Sequence, residues 1–400
     1  MTTITVVRSI GRLATCGTAG TLEDAALAFD EGAILYAGSE DGLAEAAKRG
    51  GWSVGEEVDA EGALVTPGLV DAHTHPLYGG SRFAEIASRS AGASYSEIAA
   101  GGGGISSTVV ATRATPAGDL AAAARSRLES WLAGGATTVE AKTGYHLSRE
   151  GELEAVRILA SLAGAGLPWV EVTWLAGHAV GPEYVGDPDG YVEAAASWCG
   201  ESRAAGARHA DVFCDAGYFT VDQSRRLLSA AAGAGLIPRI HADELARTGG
   251  SQLAAELGCA SADHLLLVEA SDAKALASAG VVATLAPVTA LAMGVTPPVR
   301  ELVDAGVTIA LGSDHNPGTC GTTSMTLVIA LAVSDLGLSV SQALTAATAG
   351  GAASLRLGDR GRLQAGLRPD AVLWDADHEG AFAWSYGLRP RRVWTGAPRA

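Results

Sequence analysis

Hydrophobic and polar positions alternate along the chain in two regimes. Over residues 1–60, short apolar runs at 4–7, 25–29 and 33–37 are separated by glycine and acidic turns, the pattern of strands in a small β unit. The stretch 360–375 has the same character, and 393–394 is placed to close it. The two ends of the chain are therefore expected to build one small β-sandwich domain, 1–61 with 356–400, because termini commonly lie close in space. From 62 to 355 the rhythm changes, and short apolar runs alternate with Ala/Leu-rich helical stretches. Eight candidate strands stand out, at 63–72, 137–141, 169–175, 210–214, 237–241, 261–267, 281–285 and 307–311. Helical patterns lie between them, for example at 120–133, 152–163, 222–234 and 273–279. This predicts an α/β protein whose centre is a (β/α)8 barrel of the TIM type. The rival is a doubly wound open sheet, which normally carries a GxGxxG turn directly after its first strand. The glycine run at 101–104 follows no strand directly and reads as a flexible loop.

Composition narrows the class. A hydrophobic fraction of 48% in 400 residues supplies a sizeable core and excludes disorder as the main state. The balance of 28 basic against 44 acidic residues gives a formal charge of −16, which argues against nucleic-acid binding. No apolar run reaches the ~18 residues of a membrane span, so no membrane association is expected. The five cysteines, Cys16, Cys199, Cys214, Cys259 and Cys320, are odd in number, widely spaced and without a CxxC pair. That argues against a disulfide framework and against a cysteine zinc site. The first residues lack the pattern of a signal peptide, and the expected compartment is the reducing cytoplasm.

The nine histidines carry the chemistry. His73 and His75 form an HTH at the end of the first barrel strand, and residues i and i+2 of a strand share a face. His241 ends strand five, His264 lies in strand six, and Asp314 follows strand eight. Strand C-terminal ends of a barrel converge on one mouth, where active sites form. Three imidazoles and a carboxylate suit Zn²⁺ or iron with a position left for water. An isolated HxH is more often incidental; several ligand-type residues at predicted strand ends are not. His146, His209 and His378 are read as exposed or satisfied structural histidines.

The run VTPGLVDAHTH resembles the first strand of the amidohydrolase superfamily. HTHPLYGGSRFAE at 73–85, GASYSEI at 92–98, GGGGISSTVVATRAT at 101–115, TTVEAKTGYHLSRE at 137–150, DVFCDAGYFTVDQSRR at 211–226, PRIHADEL at 238–245, SADHLL at 261–266 and SDHNPGTC at 313–320 are similar, more narrowly, to the imidazolonepropionase family of histidine degradation. The resemblance covers nearly the whole chain. It implies metal-dependent hydrolysis of the cyclic amide of 4-imidazolone-5-propanoate to N-formimidoyl-L-glutamate, with activated water attacking the ring carbonyl. Carried over residue by residue, it implies His73, His75, His241 and Asp314 as ligands of one Zn²⁺ or Fe²⁺/Fe³⁺ per chain. Glu244 and His264 are implied for proton transfer and for holding the water or carbonyl oxygen, beside Asp314. The substrate pocket is implied at Arg82, Tyr95, Tyr145, His178 and Glu244, with Asn316, Gly318 and Thr319 in the loop after strand eight. A homodimer is implied as well.

Several alternatives stand beside these assignments. Unaided by the resemblance, Arg82 reads as a surface arginine, and Glu244 as a partner of Arg247, three residues on along a helix. A deaminase of a nucleobase-like ring shares HxH, His-x-x-Glu, a later histidine and a final aspartate. Arg82, Tyr95 and Tyr145 favour a carboxylate tail that a nucleobase lacks. A non-catalytic metal-binding protein on the same barrel is a third reading, against which the intact ligand set and Glu244 speak. Many cyclic-amide hydrolases of the superfamily bridge two metals with a modified lysine on strand four. Here Lys142 ends strand two and strand four has no lysine, so a single metal and a supporting role for Lys142 are expected. His315, between Asp314 and Asn316, and the segment 286–298 depart from the family pattern.

Overall fold

The structure, a computed structural model, describes residues 4–93, 97–98, 101–162, 164 and 166–397. The chain opens with β1 (Ile4–Ala14), β2 (Thr21–Phe29), β3 (Ile34–Ser39), β4 (Val54–Asp59) and β5 (Leu64–Pro67). The barrel strands follow: β6 (Leu69–Asp71), β7 (Ala136–Lys142), β8 (Trp169–Gly177), β9 (His209–Cys214), β10 (Ile237–Pro238), β11 (Ile240–Ala242), β12 (Ser261–His264), β13 (Val282–Leu285) and β14 (Ile309–Leu311). The chain ends with β15 (Ala371–Trp374) and β16 (Pro390–Trp394).

Seven of these strands form one small sheet in the order β16-β15-β5-β1-β2-β3, with β4 beside the first half of β1. Phe29 on β2 and Trp394 on β16 stand four strand spacings apart, about 19 Å in a flat sheet. Their ring centroids are nonetheless 5.7 Å apart. The sheet therefore curls so that its wings face each other across Val7, Ile10, Leu13, Leu27 and Val65. Both chain ends contribute, as the hydrophobic pattern predicts. β4 escaped that pattern because its sequence VGEEVD has no buried residue.

The strand expected over 63–72 is two strands in two sheets. β5 pairs with β1 and β15 in the small sheet, whereas β6 pairs with β7 in the barrel. Between them Gly68 donates to the Asp370 carbonyl at 2.9 Å. A Cβ at 68 would lie 2.0 Å from the Thr137 hydroxyl oxygen, so only glycine lets the chain pass this close to β7. The change of sheet thus comes at Pro67–Gly68, later than the boundary expected between 61 and 62.

The second sheet runs β6-β7-β8-β9-β11-β12-β13-β14, all parallel. Helices Ala117–Ala133, Arg149–Ser161, Pro188–Ala205, Val221–Gly233, Gly250–Leu257 and Ala270–Ala279 connect its strands. Local sequence fixes their ends: Thr220 and Gln223, for instance, form a reciprocal capping box at the start of Val221–Gly233. The glycine run at 101–104, expected as a loop, leads directly into helix Gly104–Ala114.

The sheet closes on itself between β14 and β6. Ala72 N donates to Leu311 O at 3.2 Å, Asp314 N to His73 O at 2.9 Å and His75 N to His315 O at 2.8 Å. These bonds carry the segments that follow both strands and lock the HTH beside Asp314. Gly312 makes the approach possible, since a Cβ there would fall 2.7 Å from His73 Cβ and 2.9 Å from its amide nitrogen.

Gly312→Ala should therefore destabilise the fold by about 1–3 kcal/mol through overpacking, read as a lower midpoint in denaturant unfolding. Gly200→Ala, on an exposed helix position with nothing within 4 Å of the added carbon, should be neutral or stabilise by about 0.5–1 kcal/mol. Equal midpoints for the two variants would contradict the close approach at the seam.

Candidate metal centre and active site

The residues singled out at strand ends converge at the C-terminal mouth. His73, His75, His241, His264 and Asp314 are all at least 97% buried. One ligand atom from each of His73, His75 and His241 lies within 4.8 Å of the others, and the same holds for His73, His264 and Asp314. His73 Nε2 and His75 Nε2 are 3.3 Å apart, and each is 3.5 Å from Asp314 Oδ1. His264 and Asp314 have φ of 73° and 51°. Left-handed backbone at non-glycine residues costs free energy and persists where the surroundings over-determine it, commonly at functional sites.

Hydrogen bonds fix which imidazole nitrogen faces inward. Asp263 Oδ2 accepts from His73 Nδ1 at 2.7 Å, and Asp211 accepts from His241 Nδ1 at 3.1 Å. Each Nε2 is thereby left with its lone pair aimed into the mouth. His241 Nε2 is buried and has no hydrogen-bonding partner among the described residues. Thr289 donates its hydroxyl to Asp314 Oδ2 at 2.6 Å, leaving Oδ1 facing the histidines. A buried imidazole without a partner, beside two nitrogens and a carboxylate oxygen at such spacing, fits a metal ion.

Electrostatics agree with that fit. Burial drives His73 and His75 well below the ordinary imidazole range, with positive charge from Lys142 and His241 acting on His73 and from His178 on His75. Burial, then His241, lowers both His264 and His178 to about 3. Such neutral imidazoles are the form that binds metal. Burial lifts the Asp314 carboxyl to about 6 against the hydrogen bond from Thr289. Glu244 goes well above its usual value, chiefly by burial and then by the nearby negative charge of Asp314 and Asp215.

Glu244 sits in a turn after β11 rather than on a helix. Asp215 builds the turn, accepting from the amides of Glu244, Leu245 and Ala246 at 2.8, 2.9 and 2.9 Å. Asp243 fixes its far side, accepting from Thr248 N at 2.9 Å and from the Ser251 hydroxyl. Arg247 turns away to Asp272 at 2.8 Å, which removes the alternative reading of Glu244 as its partner. Glu244 Oε1 instead faces His264 Nδ1 at 3.6 Å.

A narrow cleft opens over these groups. Arg82, Tyr145, His178, Glu244, Asn316 and Thr319 are in its wall, as the resemblance implies. Phe213 and Ile105 add apolar surface that was not foreseen. Arg82 is only 6% exposed, which removes its reading as a surface arginine. Its Nε and Nη2 lie 2.9 and 2.8 Å from Glu85 Oε2. Gly318 packs on the guanidinium, where a Cβ would lie 2.3 Å from Nη1. The Asn316 side chain organises its own loop, accepting from Gly318 N and Thr319 N at 2.7 and 2.8 Å. His178 stacks on His75 at 5.0 Å and donates through Nδ1 to Gly144 O at 3.1 Å. Glu152 holds the loop bearing Tyr145, accepting from Gly144 N, His146 N and Leu147 N at 3.0, 2.9 and 2.9 Å. Tyr95 lies outside the described residues.

Other expectations resolve plainly. His315 points away from the mouth, its Nε2 3.2 Å from the Tyr78 hydroxyl and its Nδ1 3.2 Å from Thr322 O. His378 is exposed. His209 is fully buried at the start of β9, 3.6 Å from Glu171. The fourth barrel strand, β9, carries Asp211 and no lysine, and Lys142 ends the second, β7. Asp211, Asp215, Asp263, Glu140 and Thr289 were missed, because no spacing rule marks a carboxylate or hydroxyl that acts on a distant strand.

A family model described as "Amidohydrolase family" matches residues 218–396. A curated imidazolonepropionase of Anaeromyxobacter dehalogenans (strain 2CP-1) is 43% identical over 391 residues, covering 96% of this chain and 92% of its own. Another, of Rhodococcus jostii (strain RHA1), is 41% identical over 404 residues, covering 99% and 95%. Among solved structures, the atrazine chlorohydrolase of Arthrobacter aurescens TC1 complexed with zinc superposes with a TM-score of 0.71 at 19% identity, over 98% of this chain and 94% of that one. That likeness concerns the barrel fold. With two-fifths identity sustained over nearly its whole length, the chain belongs to the imidazolonepropionase family of amidohydrolases.

Proposed function

We propose that this protein hydrolyses the cyclic amide of 4-imidazolone-5-propanoate to N-formimidoyl-L-glutamate, with one Zn²⁺ or iron ion held by His73, His75, His241 and Asp314. The observation that carries the reading is the meeting of that donor set with Glu244, His264 and the buried Arg82 around one cleft. When bound, the ion supplies Lewis acidity, which acidifies water and polarises a carbonyl.

The chain's own residues divide the remaining work. Water adds to the ring carbonyl carbon, and the C–N bond then breaks as the ring nitrogen gains a proton. Glu244, fixed by the Asp215 turn, carries the proton from the attacking water to that nitrogen. His264, beside Glu244, hydrogen-bonds the oxygen on which negative charge grows. Arg82, its plane held by Glu85 and Gly318, takes the propionate carboxylate. His178 and Phe213 form the wall against the ring. A deaminase shares the donor set, but a buried guanidinium in the cleft favours a substrate with an anionic tail. We also place the chain in the cytoplasm, supported by five cysteines that are all free, and propose a homodimer on the resemblance alone. Among the described residues no helix is long and apolar enough to cross a membrane.

The test is paired: metal content of the purified protein, and loss of imidazolone-propionate absorbance under anaerobic conditions. One ion per chain with rapid ring opening is expected. A loaded protein that leaves the substrate intact removes the proposed activity. Asp314→Ala should keep the fold, lose most of the metal and lose activity; one ion retained with full turnover would exclude Asp314 as a ligand. Glu244→Gln should lower kcat by about 10²–10⁴-fold with metal content unchanged. Arg82→Ala should raise KM by roughly 10–100-fold, the worth of a charge-assisted hydrogen bond, with a smaller change in kcat. An unchanged KM would remove Arg82 from the substrate.

A further inference from the structure

Beneath the mouth, Lys142 is fully buried at the end of β7. Its ammonium lies 2.9 Å from Glu140 Oε1, 2.7 Å from Asp211 Oδ2 and 3.4 Å from Asp263 Oδ2. An ammonium has three N–H donors, and here each meets a different carboxylate. Each carboxylate in turn holds one part of the proposed ligand set. Asp211 takes Nδ1–H of His241, and Asp263 takes Nδ1–H of His73. Glu140 Oε2 accepts from the amide of Thr74, between His73 and His75, at 3.1 Å. The Lys142 backbone reaches the same residue, its N–H donating to Thr74 O at 2.9 Å.

We infer that Lys142 is the positioning residue of the metal centre: a single ammonium that sets the spacing of His73, His241 and the HTH segment through three carboxylates. This rests on the ligand set proposed above. Arg239 shares this layer but not the role. Its guanidinium bonds the same Asp263 oxygen at 3.1 Å and stands 3.8 Å from Glu140 Oε1, but it makes no hydrogen bond to Asp211 and also holds the carbonyls of Ala72 and Ser354, at 2.8 and 2.7 Å. Three carboxylates against two cations also leave this layer one negative charge, directly below a site that takes a cation. Losing the ammonium frees two aspartates to repel each other and tilt both imidazoles, so the effect falls on metal geometry as well as on stability.

The experiment measures zinc affinity by competition with a chromophoric chelator, and the visible spectrum of the Co²⁺-loaded protein, in the wild type, Lys142→Met, Asp211→Asn and Asp263→Asn. Circular dichroism and unfolding midpoints report folding. Folded Lys142→Met should bind Zn²⁺ about 10–100-fold more weakly, and its Co²⁺ bands should shift even at saturating metal. A merely structural lysine would lower the midpoint and leave the bands of the saturated protein in place. Wild-type affinity and wild-type bands in folded Lys142→Met would overturn the inference. Should that variant not fold, the asparagine variants decide, each testing one arm with the lysine kept: both indistinguishable from wild type would overturn it equally. Asp314→Ala is the control for the ligand set. If it binds Zn²⁺ as tightly as wild type, the ligand reading fails, and the role of Lys142 with it. If it loses Zn²⁺ while Lys142→Met does not, the role of Lys142 alone is wrong.

Discussion

Five ionised side chains enclosed in a β-barrel set the terms for the rest of the structure. Glu140, Lys142, Asp211, Arg239 and Asp263 are wholly buried. Withdrawing an ion from water costs several kcal/mol even after relaxation, so each must find a partner of opposite charge at close range. A closed barrel supplies that geometry because strands distant in the sheet order face each other across its interior. Lys142 on β7 meets Asp263 on β12, four strands away. Burial opposes ionisation of Asp211 and Asp263, yet the cations and histidines facing them hold both carboxyls well below the ordinary range. The carboxylates therefore stay charged and act as fixed acceptors for the imidazoles above them.

That constraint explains the composition of the barrel strands. In β7, sequence ATTVEAK, every residue is buried. Val139 and Ala141 belong to the apolar cluster, whereas Glu140 and Lys142 join the ionic layer. β9 repeats the division, with Ala210 and Val212 in the cluster and Asp211 in the layer. One face of each strand builds stability and the other builds the site. The outer segments serve the layer too. Arg239 is anchored to Ser354 O, in the helical segment that leads the chain back to the small sheet, and to Ala72 O beside the seam.

Most of this fold was legible because its signals are local. Short apolar runs, helix caps and an HTH on one strand face require no knowledge of the partner strand, and the eight expected strands correspond to the eight around the barrel. The exceptions have physical causes. The run at 63–72 is continuous in hydropathy, and only the closeness of Thr137 to Gly68 shows that the chain leaves one sheet for another there. β4 has no apolar face to announce it. The orienting carboxylates were illegible as partners because their meaning depends on which strands face each other. One signal did exist. Strands of a parallel barrel are buried on both faces, so the alternation of charge with Val or Ala in TVEAK and HADV already demanded ionic pairs inside. The alternative pairing of Arg247 with Glu244 fails for the converse reason: its partner, Asp272, is at the start of a later helix.

The proposed function houses chemistry and specificity in different parts of the mouth. The donor set and Glu244 stand on strand ends and on turns fixed by buried carboxylates, where a shift of one side chain is opposed by the ionic layer. The wall proposed to bind the anionic tail is built from two loops, one after β6 and one after β14, that meet at Gly318. Arg82 packs on that glycine, and Arg89 donates to its carbonyl at 2.6 Å. Both guanidiniums thus stand at this lip, Arg82 paired with Glu85, in a protein whose formal charge is −16. On the proposed function, a guanidinium at this point offers an anionic tail a local partner, even though the field of the whole molecule repels one at long range. The same strand-end constellation would serve other cyclic amides or amidines if those loops changed. On the proposed function, the substrate commitment of this chain rests on the contact between Arg82 and Gly318, where a side chain at 318 would press on the guanidinium that Glu85 holds.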